Sequence, residues 1–218
     1  RSGSAGDNPY NSFYGYMDYA DQNYTRCMNG TSAATPAAAG VIALMLQANP
    51  NLGWRDVRLI LAQSARKNDS GDTGWSTTGG SPVYNFNHKY GFGVIDAQAA
   101  VTLAQTWSNV GARLTYATMP ASPNLAIPDF PGAGVGNPGA SDTINVTGSN
   151  ITNIEFIEIT FSAADHPYAG DLAITLTSPA GTASQLSETH ACPNSFCTAY
   201  NGWVFGSAAH LGEAADGL

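Results

Sequence analysis

The sequence predicts two parts of different class, a helical segment followed by an antiparallel β-sandwich. Three observations carry this expectation. Residues 37–46 are small or apolar without interruption, the pattern of a helix buried on every face. Residues 119–139 hold five of the twelve prolines and several glycines, which bars a regular element. Beyond them apolar residues recur at every second position, the period of a half-buried strand. The parts are expected to meet near residue 110. Residues 1–110 form the first domain, residues 111–140 a Pro/Gly-rich linker opening the second, and residues 141–218 the sandwich.

Up to about residue 27 the chain is rich in Tyr and Asn without a clear period, so it reads as loops with room for one strand. The apolar helix follows, and Asn49-Pro50-Asn51 stops it. Residues 54–65 predict an amphipathic surface helix, with Trp54, Val57, Ile60 and Leu61 on one face and Arg55, Asp56 and Arg58 mostly on the other. Gly, Ser and Thr dominate residues 68–81, a loop. Asp96 is placed to cap a helix over 97–104. In the second part, residues 143–147 alternate, as do residues 154–161 apart from one doubled apolar position. Residues 171–177 alternate strictly and run into the turn Ser178-Pro179-Ala180-Gly181. Strands at such intervals suggest a sandwich.

Apolar residues make up 43% of the 218, enough for a core, which argues against disorder. Only 11% are charged, and a sparsely charged, Gly- and Tyr-rich surface is common in secreted proteins. The net charge of −8 argues against a nucleic-acid partner, which needs cations to neutralise phosphates. No uninterrupted apolar run reaches the roughly 18 residues of a membrane span. The chain starts at Arg1 and is expected to be truncated at both ends. Cys192 and Cys197 bracket a short polar loop that can close into a disulfide. A zinc site is the rival at this spacing, without a second Cys/His pair to support it. Cys27 is left over, and its partner is expected upstream.

The chemistry centres on Gly30-Thr31-Ser32-Ala33-Ala34-Thr35-Pro36, which leads into the apolar helix. A serine at a helix N-terminus sits beside backbone N–H groups with no partner in the helix, at the positive end of the dipole. Both favour a developing oxyanion. Gly30 lets substrate approach, and Ala33 and Ala34 leave room above Ser32. Pro36 is expected in the first turn, where it forfeits no hydrogen bond. Two other readings stand beside this one. Ser32 or Thr31 could simply cap the helix. Alternatively Gly30-x-Ser32-x-Ala34 could be the nucleophile elbow of an esterase, which requires a strand over residues 25–29.

Gly30 to Pro36, residues 48–57 and the string Tyr90-Gly91-Phe92-Gly93-Val94-Ile95-Asp96-Ala97 resemble the nucleophile region of subtilisin-like serine proteases of the kexin/furin type. Ala126-Ile127-Pro128-Asp129, residues 165–172, residues 178–182 and Leu211-Gly212-Glu213 resemble the P domain that follows the peptidase in that branch. The resemblance implies the rear of a three-layer α/β peptidase domain joined to a jelly-roll-like P domain. It implies a secreted endopeptidase acting on protein or peptide substrates, with Ser32 as nucleophile and Gly30 and Thr31 beside it. The catalytic Asp, His and oxyanion Asn are implied upstream, so these 218 residues alone are expected to be inactive. Calcium is implied as cofactor, with its ligands mainly upstream, and a propeptide or chaperone as a possible partner.

Other residues read as decoys. Asp69-Ser70-Gly71 and Asp72-Thr73-Gly74 mimic catalytic Asp motifs but lie in turn-forming sequence. His88 is read as a surface or packing residue and His166 as a hydrogen-bonding residue of a strand turn; His190 and His210 have no evident partner. Asp129, Asp142, Asp165 and Asp171 offer candidates for a P-domain calcium site, beside the capping and turn roles that scattered loop aspartates more often fill. The sequons at Asn23, Asn68, Asn145 and Asn150 matter only where the source glycosylates. Two rival functions stay open, a pseudoprotease that keeps Ser32 without its partners, and an esterase with its acid and histidine downstream.

Overall fold

A computed structural model describes residues 30–128, 139–191 and 198–216. The chain divides into two compact units, Arg1–Ser64 with Ile95–Val110, and Ala65–Val94 with Gly111–Leu218. One division falls at Val110, the other sends the segment Ala65–Val94 to the C-terminal residues.

Among the described residues the first unit contains three helices. Helix α1 spans Thr31–Ala48 and ends where Asn49 N–H closes on the Met45 carbonyl at 2.9 Å. Helix α2 spans Trp54–Ser64. Helix α3 spans Ala97–Gln105, capped as expected by the Asp96 carboxylate, which accepts from Ala99 N–H at 2.9 Å. Met45, Leu52, Val57, Ile60, Ala100 and Ala104 form the core, with Val41, Ile42 and Trp107 packed against it. Asn49 ties α1 to the end of α3 by donating its side-chain amide to the Ala104 carbonyl at 3.0 Å.

Several expectations change here. The apolar pattern of α1 is that of a helix covered on every face; within these 218 residues Met45 is its only fully buried residue, and Leu44 is 50% exposed. Over its 18 residues the mean hydropathy is 1.3, so by length and composition α1 is the one helix among the described residues that could cross a membrane. On α2, Trp54 faces outward at 61% exposure with the Arg58 guanidinium over its ring, while Asp56, expected outside, is buried at 3%. Trp107 takes the inner place instead.

The second unit is built from short antiparallel pairs. Strands β1 (Ser76–Thr77) and β2 (Asn85–Phe86) form a hairpin. Strand β3 (Ile157–Phe161) pairs with β6 (Trp203–Ser207), Ile159 opposite Phe205. Strand β4 (Ile174–Thr177) pairs with β5 (Ala183–Ser187) through the expected turn, in which Gly181 N–H donates to the Ser178 carbonyl at 2.9 Å. The left-handed φ of 85° at Gly181 is what glycine supplies there. The two pairs meet at β5 and β6, where the Ser184 and Ser207 hydroxyls are 2.7 Å apart. Beneath them Ala169, Leu172 and Tyr200 form a core completed by Phe161, Ile174 and Phe205.

The doubled apolar position explains why β3 begins only at Ile157, since Phe156 just before it is 51% exposed. The strict alternation at 171–177 yields a strand only from Ile174, because Ala169–Asp171 winds into a 3₁₀ turn. Residues 143–147 alternate but form no strand, and no partner strand lies beside them among the described residues. The stretch up to residue 27 lies outside the described residues.

Candidate active site

Gly30 occupies the N-cap of α1 with φ of 72°, a left-handed conformation suited to glycine, and open space surrounds its α-carbon. Its carbonyl accepts from Ala33 N–H at 3.1 Å and Ala34 N–H at 3.2 Å. Thr31 and Ser32 are therefore the first two helical residues, both exposed, and neither is the cap. That sets aside the capping role and leaves the Ser32 hydroxyl at the helix mouth. The backbone N–H groups of Thr31 and Ser32 have no acceptor within the helix, as for any first turn.

Pro36 departs from expectation. With α1 starting at Thr31, Pro36 is the sixth helical residue and lies inside the helix. Its missing N–H would have paired with the Ser32 carbonyl four residues back, so that carbonyl has no ladder partner. One residue earlier Thr35 donates its hydroxyl to the Thr31 carbonyl at 2.8 Å, adding a side-chain bond to the start of the helix.

The described part of this unit contains no histidine, and its two acids are occupied. Asp96 caps α3. Asp56 lies three residues after Gly53 and accepts its N–H at 2.7 Å, while its other oxygen accepts from Trp107 Nε1–H at 3.0 Å and Val110 N–H at 2.8 Å. Burial opposes ionisation of Asp56, but the bonds from Val110, Trp107 and Gly53, with the Arg55 charge, hold its carboxyl below the usual value. It is a structural carboxylate. An acid and histidine downstream of Ser32, which the esterase reading needs, are thus not available within the described residues of this unit.

The decoys behave mostly as read. Asp72 forms its turn by accepting from Gly74 N–H at 2.7 Å, and it also accepts from Lys89 Nζ at 2.7 Å and Asn87 Nδ2 at 3.0 Å. The Lys89 bond, then those from Gly74 and Asn87, lower its carboxyl to about 2. His88 packs edge-on against Phe86 and accepts from Gln185 N–H at 3.1 Å. For His166 the backbone closes the turn, its N–H donating to the Ala163 carbonyl at 3.1 Å, while ring Nε2 is buried with no partner among the described residues. His190, read as partnerless, places Nδ1 3.0 Å from the Glu188 carbonyl.

His210 was also read as partnerless, but it is 1% exposed and donates Nε2–H to the Thr182 carbonyl at 3.2 Å. Burial lowers its pKa below the ordinary 6.5, against the opposing pull of Glu213 and the Thr182 bond. The unfolded chain therefore binds more protons than the folded one just below pH 6.5. The stability this histidine contributes is complete above that value and is lost as pH falls toward the folded pKa. The melting temperature of the whole protein is expected to fall between pH 7.5 and 5.5, and less steeply in a His210→Phe variant. Identical slopes would show that His210 does not carry this pH dependence.

Cys27, Cys192 and Cys197 lie outside the described residues, as do residues 25–29 and Asp129. Among the described residues no group of three or more His, Cys, Asp or Glu is arranged to hold a metal.

The subtilase family profile matches residues 5–93, and the proprotein convertase P-domain profile matches residues 155–218. The PC3-like endoprotease variant B of Hydra vulgaris is 33% identical over 201 residues, 89% of this chain and 27% of that protein. Kexin of Saccharomyces cerevisiae is 35% identical over 208 residues, 91% of this chain and 24% of that protein. The chain thus spans about a quarter of the length of these relatives. Among solved structures, the serine protease of Aeromonas sobria aligns with a TM-score of 0.66 at 28% identity, over 88% of this chain and 36% of that one. The same protease in complex with its chaperone aligns with a TM-score of 0.66 at 26% identity, over 91% and 38%.

Proposed function

Because the chain belongs to the subtilisin-like serine proteases of the kexin type, carrying a C-terminal stretch of the peptidase domain and a P domain, we propose that the whole protein is a secreted serine endopeptidase with Ser32 as its nucleophile. The observation that carries the assignment is the exposed Ser32 in the first turn of α1, behind an open Gly30 and released from any capping role. Ser32 Oγ attacks the scissile carbonyl and passes its proton to a histidine, which returns it to the departing amine. The acyl-enzyme on Ser32 is then hydrolysed by water. The Ser32 N–H and an asparagine share the oxyanion.

Family chain order places the acid and the histidine before the serine. Residues 1–31 contain no histidine, so the base that serves Ser32 would come from sequence preceding them in the whole protein. We place the domain boundaries at 1–110 for the peptidase part, 111–140 for the linker and start of the P domain, and 141–218 for the P domain. A disulfide joins Cys192 to Cys197 in this reading. Calcium, where the whole protein binds it, would be held outside the described residues, and no step of the reaction is routed through it. The Aeromonas sobria protease has been solved with a chaperone, and a chaperone or propeptide is a fitting partner here too.

An endopeptidase must cleave amides as well as esters. The whole protein is expected to hydrolyse internal bonds of a denatured protein substrate. Hydrolysis of a p-nitrophenyl ester without any peptide cleavage would overturn the protease assignment in favour of an esterase.

A further inference from the structure

The segment that the contacts assign to the C-terminal unit carries the inference. The β1–β2 hairpin lies within the stretch matched by the subtilase profile, yet its tip is set into residues matched by the P-domain profile. The hairpin is closed by Thr78, whose N–H donates to the Tyr84 carbonyl at 2.9 Å and whose hydroxyl accepts from Tyr84 N–H at 3.0 Å. Beyond Thr78 the bonds leave the hairpin. Gly79 N–H donates to Glu213 Oε1 at 3.0 Å and, more weakly, to the Thr182 hydroxyl at 3.3 Å. The Thr182 hydroxyl donates in turn to Glu213 Oε1. Ser81 N–H donates to the Gly212 carbonyl at 3.2 Å.

Glycine is required on both sides of this contact. A β-carbon on Gly80 would stand 2.1 Å from the carbonyl carbon of Gly212, and one on Gly79 would stand 2.1 Å from the β-carbon of Ala180. Gly212 has φ of 84°, and a β-carbon there would meet the Pro82 carbonyl at 2.8 Å. The backbones touch because neither has a side chain between them. Glu213 is 4% exposed and Thr182 5%, so the carboxylate is aimed inward, where it accepts from Gly79 N–H at the hairpin tip and from the Thr182 hydroxyl. A buried carboxylate is costly without such donors. The Glu213 main chain separately ties its own loop to the residues before β3, since Ile154 N–H donates to the Glu213 main-chain carbonyl at 2.7 Å.

We propose that Glu213 is a positioning residue, the acceptor through which the P domain seats residues 79–81 of the peptidase. This rests on the family reading for the names of the two parts, but its test does not depend on catalysis. Hydrogen exchange followed by mass spectrometry would be run on the whole protein in a Ser32→Ala background, comparing residues 76–87 with β3 and β6. Glu213→Ala is expected to speed exchange of residues 76–87 about tenfold or more, the scale of losing a bond to a charged acceptor, with β3 and β6 unchanged. Gly80→Ala, which alters no P-domain residue, is expected to do the same. The double variant should go no more than about twofold beyond the larger single effect, because both changes empty one seat. Glu213→Gln keeps an oxygen for Gly79 and should fall between wild type and Glu213→Ala. The proposal is overturned if Glu213→Ala leaves residues 76–87 within about twofold of the parent, if the two effects multiply, or if Gly80→Ala also strips protection from β3 and β6.

Discussion

Replacing Ser32 by alanine in the whole protein is expected to lower kcat by on the order of 10⁶, the loss that subtilisin itself shows when its serine is removed. The fold should not change. Ser32 is exposed and is not the helix cap, so its hydroxyl contributes no packing, and alanine is the best helix former for the second position of α1. Stability and activity should therefore separate cleanly: an unchanged melting temperature with catalysis reduced to the residue supplied by oxyanion binding. A companion change sharpens the reading. Gly30→Val would force a β-branched residue into a φ of 72° and place bulk where substrate must approach, so both KM and kcat should suffer. Measured peptide hydrolysis within tenfold of wild type for Ser32→Ala would remove the nucleophile assignment.

The largest effect on stability is expected at Asp56. Its carboxylate collects N–H groups from Gly53, Trp107 and Val110, and so joins the start of α2 to the chain that follows α3. Asp56→Ala leaves three donors without an acceptor at a site 3% exposed. Each orphaned buried donor costs about 1–3 kcal/mol, and the sum approaches the about 5–15 kcal/mol that holds a typical domain together. Asp56→Asn is milder in size but turns one oxygen into an NH₂ group that confronts a donor. Both variants should lose several kcal/mol in a denaturant titration of the whole protein, Ala more than Asn. The folded pKa of Asp56 is below its ordinary 3.8, so its contribution is full above that value and fades as pH falls through the folded pKa. A midpoint shifted by less than about 0.5 kcal/mol, the range of an ordinary surface substitution, would show that the three bonds are not what secures this unit.

Much of the helical part is legible locally. The period of residues 54–65 gives α2 to within one residue, and Asp96 before an apolar run gives α3. What periodicity could not give is which charged residue turns inward. Two donors to Asp56 come from Trp107 and Val110, about fifty residues later, and no local pattern encodes them. The only nearby signal was a carboxylate three residues after Gly53, the spacing at which a side chain reaches back to an N-cap N–H. Trp54 misled for the same reason, because Trp107 fills the inner place. Strand β6 was missed since Trp203 and Val204 are both exposed, which destroys the alternation that reveals a half-buried strand. The proposal for Ser32 rests on residues contiguous in sequence, Gly30 to Pro36. The seat at Glu213 was readable only as a motif, since its partner Gly79 stands 134 residues away.

The central claim is that Ser32 is an activated nucleophile, and covalent labelling tests it most directly. The whole protein would be treated with a fluorophosphonate, digested and mapped by mass spectrometry. One phosphonyl adduct is expected on the peptide containing Gly30-Thr31-Ser32, located on Ser32 Oγ and absent after prior denaturation. Active peptide hydrolysis with Ser32 unlabelled, or an adduct on a different serine, would contradict it.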